Sequence, residues 1–121
     1  MTLPGDPNYI GFTPAAYSDL STVTTYTAST ILQASDAGDI VEMSSGSGIT
    51  LTVPPFADVP FPTGTRIDVV QVGVGQLTIA AGSGVTIRTP STLVLVGQWS
   101  AVSLYKRATN EWVLVGDVES A

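Results

Sequence analysis

The residues best equipped for chemistry are few. Asp36, Asp39 and Glu42 form the densest group of carboxylates, and a paired-acid mechanism would need two of them converging on one cleft with their pKa values driven apart. Nothing around them supplies a cleft. Asp36 and Asp39 sit in Asp-Ala-Gly-Asp, which is turn chemistry, and Glu42 falls at an exposed position of a strand. Hard cations take such oxygens, but the ligand spacing of an EF-hand loop is missing. The chain has no cysteine and no histidine. Thiol nucleophiles, disulfides, Cys/His zinc sites and the common histidine base are therefore excluded. Ser45-Gly46-Ser47-Gly48 and Gly73-Val74-Gly75 look like pieces of phosphate-cradling loops, but neither leads into a helix or a placed lysine, so they read as turns. We assign no catalytic residue, metal or cofactor, and expect a non-enzyme.

The aromatic residues Trp99, Tyr105 and Trp112 could stack on a sugar or serve a core or subunit interface. Trp112-Val113-Leu114-Val115 is a continuous apolar run, the pattern of a strand covered on both faces. In a small domain the second cover would be another subunit. This makes Trp99, Trp112, Val113 and Val115 the candidate interface residues.

These positions need a scaffold, and the pattern is all-β. From Thr22 onward, short Val-, Ile-, Thr- and Tyr-rich runs alternate with Gly, Pro, Ser and Asp clusters, as in a sandwich or barrel. Strands are predicted at 26–33, 39–43, 49–53, 66–72, 76–80, 85–88, 92–96, 99–106 and 111–115, with no helix longer than about two turns. Ile49-Thr50-Leu51-Thr52-Val53 shows the clearest alternation, with apolar residues facing a core and threonines facing out. We expect an antiparallel β-sandwich or β-roll over residues 23–121, with Gly73-Val74-Gly75 as a hairpin connection. Pro54-Pro55 and Pro60-Phe61-Pro62 break pairing, so residues 54–65 should cross between sheets or edges. Gly46-Ser47-Gly48-Ile49-Thr50-Leu51 is echoed 36 residues later by Gly82-Ser83-Gly84-Val85-Thr86-Ile87. Two copies fall short of a solenoid, and both read as a glycine turn feeding a strand.

Residues 1–22 have neither period and carry Pro4, Pro7 and Pro14 among Tyr9, Ile10, Phe12 and Tyr17. They read as an extended arm whose four apolar anchors dock on something larger. No basic start, secretory apolar run or membrane-length stretch is present, so synthesis in the cytosol without membrane anchoring is expected.

The chain is 44% apolar and only 12% charged, about half the usual charged fraction. Such a surface associates unless it is covered. Residues 1–58 hold six acids and no Lys or Arg precedes Arg66, so the net charge of −6 comes from that half. Nucleic acid is an unsuitable partner, and a surface of basic character suits better.

Val53-Pro54-Pro55, Phe61-Pro62-Thr63-Gly64-Thr65-Arg66-Ile67-Asp68-Val69-Val70-Gln71, Gly75-Gln76-Leu77-Thr78-Ile79-Ala80-Ala81-Gly82 and Val85-Thr86-Ile87-Arg88 resemble a β-domain of bacteriophage structural proteins. Trp99–Lys106 followed by Asn110–Asp117 resembles that domain's closing hairpin, seen on tail-fibre termini and small capsid-associated proteins. The resemblance spans about residues 25–118. It implies a structural, commonly trimeric protein on the virion surface. With only about two dozen residues ahead of the domain, a capsid decoration (minor capsid) protein bound to the major capsid protein or other virion proteins is expected. A tail-fibre, receptor-binding or carbohydrate-binding module is the alternative.

Overall fold

A computed structural model describes residues 20–121 of the chain. The strands are β1 (Val23–Tyr26), β2 (Thr30–Ile31), β3 (Ile40–Met43), β4 (Ile49–Val53), β5 (Arg66–Gln71), β6 (Leu77–Ala81), β7 (Thr86–Arg88), β8 (Ala101–Ala108) and β9 (Glu111–Gly116). Helix is confined, among the described residues, to one 3-10 turn at Ala34–Asp36. The fold is all-β, in two sheets: one of six strands in the order β1-β3-β5-β8-β9-β7 and one of three in the order β2-β4-β6.

Pairing overturns the antiparallel expectation. β1–β3, β2–β4, β3–β5, β4–β6 and β7–β9 are parallel, and only β5–β8 and β8–β9 are antiparallel. From β1 to β6 the chain alternates between the large and the small sheet, so each pass through both makes one coil, laid on the coil before it. Alternation of side chains reveals which face is buried but carries no information on strand direction. That is why half-buried parallel strands read as antiparallel ones.

The connections follow from this winding. Gly73-Val74-Gly75 makes no hairpin; it carries the chain from β5 in the large sheet to β6 in the small one. It lies on the equivalent corner of the preceding coil, where Gly75 N–H donates to the Ser45 carbonyl at 2.8 Å. A Cβ on Gly73 would overlap the Ser45 backbone, and one on Gly75 that of Ser47. These glycines are there for the close approach of stacked corners. The proline-rich stretch 54–65 does cross between sheets, from β4 to β5. The sequence echo is not the coil repeat, because Ile49 is in register with Leu77 rather than Val85. The run expected as one strand over 26–33 is split: Tyr26 ends β1 in the large sheet and Thr30–Ile31 form β2 in the small one.

The core lies between the sheets. Inward positions include Val41 and Met43 of β3, Leu51 and Val53 of β4, Ile67 and Val69 of β5, Leu77 and Ile79 of β6, and Leu104 and Leu114 of the final hairpin, all essentially inaccessible. Each such side chain contributes about 1.5–3 kcal/mol through burial. Beyond β6, residues 93–95 continue the small sheet: Ile79 N–H donates to the Leu93 carbonyl at 2.8 Å, and Leu95 N–H to the Leu77 carbonyl at 3.0 Å. The C-terminal segment lies on their other side through the Leu95–Val118 bridge. Both sheets are therefore covered at the last coil.

Candidate interaction surface

The outer face of the six-stranded sheet can be read row by row from its register. One row runs Val23, Ile40, Asp68, Ser103, Val115 across β1, β3, β5, β8 and β9. To one side lie Thr25, Glu42, Val70 and Ala101, and to the other Arg66, Tyr105, Val113 and Arg88. Val23 is 55% exposed, Val115 45% and Tyr105 42%, so apolar side chains recur across the face.

The charges on this face are largely neutralised within it. Asp68 Oδ1 accepts from Ser103 Oγ at 2.6 Å and from Arg66 Nε at 3.3 Å, and Arg66 donates to Ser103 Oγ at 3.2 Å. Around this group is a shallow depression of about 450 Å³ bordered by Ile40, Val70, Ala101 and Val115. At the β7 side, Glu111 Oε2 accepts from Arg88 Nε at 2.7 Å and Arg107 Nη1 at 3.0 Å. Those hydrogen bonds, Arg88 first, hold the Glu111 carboxyl below its ordinary range. A face of apolar side chains with internally paired charges has little polar desolvation cost when covered.

The four expected interface residues separate. Trp112 is 1% exposed and belongs to the core of its own chain, with its ring edge-on to Phe61 at a centroid distance of 5.6 Å. It offers no area to a second subunit, which corrects that assignment. Along the apolar run 112–115, Trp112 and Leu114 point inward, Val113 is half-buried, and Val115 is exposed. Val113 and Val115 are on the outer face. Trp99 is 66% exposed in the turn before β8. Its φ of 70° is one that side-chain-bearing residues rarely adopt, and its N–H donates to the Gln71 carbonyl at the end of β5. The anchors Tyr9, Ile10, Phe12 and Tyr17 lie outside the described residues.

The acidic group does not form a centre. Asp36 is buried, accepts the Tyr26 hydroxyl at 3.0 Å, and accepts Gln33 N–H at 2.8 Å. Burial, reinforced by Asp36, pushes the Tyr26 hydroxyl above its ordinary pKa. Asp39 accepts Thr22 N–H, while Glu42 accepts the Thr25 hydroxyl at 3.2 Å. Among the described residues no three metal-ligating side chains cluster.

Sequence reasoning missed Lys106, which faces inward on β8 and is 2% exposed. Its Nζ donates to the Phe61 carbonyl at 2.6 Å and lies 4.3 Å from the centre of the Phe56 ring. Burial lowers its pKa. Its position in register with Val102 and Leu104 was the available signal. Ile40 and Val70 were also missed as surface residues, although period 2 along β3 and β5 places them outward; Tyr105, one of the three aromatics singled out from the sequence, is on the outer face of β8.

Comparison with protein-family models, curated proteins and solved structures finds no match to this chain.

Proposed function

We propose that the protein is a virion structural protein, a capsid decoration (minor capsid) protein that binds the assembled shell as a homotrimer. In this reading the two wound sheets form a β-roll, and residues 1–22 are the arm that anchors it to the major capsid protein. The observation that supports it is the outer face of the large sheet, where Val23, Ile40, Val70, Tyr105, Val113 and Val115 share one surface on which Asp68 pairs with Arg66 and Glu111 with Arg88. Surfaces of that composition suit self-association. The number three and the phage context come from the resemblance of residues 25–118. Val115→Asp tests the self-association. Val115 is exposed, so the variant keeps its fold. Light scattering is expected to show the wild type as a trimer and the variant as a monomer; a monomeric wild type refutes the reading.

Trp99 favours the second reading, a receptor- or carbohydrate-binding module at the tail. An exposed indole next to Gln98, carried on backbone of left-handed φ, could stack on a sugar. Copy number separates the two, with hundreds per particle for the shell and a handful for the tail.

A further inference from the structure

β1 and β2 stand at the ends of their sheets, in the first coil, with no described neighbour beyond them. The β1 ladder fixes which backbone groups are used. Ile40 N–H donates to the Thr22 carbonyl at 2.9 Å and Ser44 N–H to the Tyr26 carbonyl at 2.8 Å. Alternation along a strand therefore turns Thr22, Thr24 and Tyr26 toward β3, and turns the N–H and C=O of Val23 and Thr25 away from it. These groups form a template for another strand.

The edge also lacks the usual protections. Val23-Thr24-Thr25-Tyr26 contains no Lys and no Pro, and its pairing with β3 runs without a bulge. At the opposite edge of the same sheet, β7 is shorter and carries Arg88, tied to Glu111. Charge selects the occupant. Asp39 and Glu42 stand on the β3 side of β1, one strand in from its outward edge and within reach of a long basic side chain laid across it, and no Lys or Arg occurs in the chain before Arg66. The protein's own residues 1–19 contain Asp6 and Asp19 and no Lys or Arg, so the basic side chains that Asp39 and Glu42 favour have to come from another protein.

We propose that the outward edge of β1, which no described strand covers, is a strand-addition site for an extended, basic segment of another protein. Backbone hydrogen bonds to Val23 and Thr25 supply the register, and Asp39 and Glu42 select lysine or arginine beside it. The site would give the proposed shell protein a contact apart from its arm, but it depends on neither the phage reading nor the trimer.

The test uses the full-length chain and two short synthetic peptides, one alternating valine with lysine and one valine with glutamate. Amide hydrogen exchange is followed by NMR. With the lysine peptide, the Val23 and Thr25 amides are expected to slow by about tenfold or more. The glutamate peptide should leave them unchanged. Val23→Pro removes one outward N–H without touching the β1–β3 ladder or the Thr25–Glu42 hydrogen bond, and should abolish the lysine-peptide effect at Thr25 while the melting temperature holds. Equal protection by both peptides, or by neither, overturns the proposal. So does strong protection of Val23 and Thr25 in the free chain, which would mean that its own residues already occupy the edge.

Discussion

At the last coil both sheets are covered, β5 by the antiparallel β8 and β6 by residues 93–95, whereas at the first coil β1 and β2 have no described strand beyond them. The interior is sealed at both ends, but by different chemistry. Trp112, Phe61 and Lys106 fill the closed end, and the Tyr26–Asp36 hydrogen bond plugs the open one. Plugging a core protects its apolar side chains, while covering an edge protects its backbone groups. The first coil has the plug without the cover, and this separates what holds the protein together from what it can offer to a partner.

If the closed end carries the stability, Trp112→Ala should have the largest effect of any change considered. It removes a fully buried ring and Phe61's edge-on partner, for an expected loss of about 3–5 kcal/mol in urea unfolding. Tyr26→Phe probes the open end. It keeps the ring and leaves a buried carboxylate short of a donor, with an expected loss of about 1–3 kcal/mol. Equal losses would show that the first coil is as firmly built as the last.

The sequence carried the inward and outward faces well and the chain path poorly. Ile49–Val53 is found where its alternation predicts, and Arg66–Gln71 and Glu111–Gly116 differ by a residue or so at their ends, because period 2 is a local property of the pleat. Strand direction is not local. Whether β4 pairs with a parallel or an antiparallel neighbour depends on where the crossing at 54–65 delivers the chain, and proline content marks a crossing without giving its destination. The same gap hid the candidate surface. Val113 and Val115 could be placed opposite Trp112 by alternation, but their neighbours Ser103, Asp68 and Ile40 come together only through the register of three further strands.

The smallest expected effect is also the one that sets the two ends against each other, because the buried Lys106 and the half-buried Tyr26 shift in opposite senses. Lys106 has its folded pKa lowered from 10.5 by burial, so below that value the unfolded chain binds more protons than the folded one. Stability from this group therefore rises with pH through the window between the folded pKa and 10.5. Tyr26 has its folded pKa raised from 10.0, so the folded chain binds more protons above that value, and its contribution falls as pH climbs through the folded pKa. Lys106→Met exchanges a buried cation and its hydrogen bond to the Phe61 carbonyl for an apolar stem, two changes that offset to within about 1 kcal/mol at neutral pH. The informative quantity is the difference in unfolding free energy between wild type and variant as pH is raised toward 10.5. It should move in favour of the wild type as Lys106 loses its proton, and the corresponding difference for Tyr26→Phe should move against the wild type above 10.0. A flat difference for Lys106→Met would mean that the ammonium is hydrated in solution and that the closed end is looser than its packing indicates.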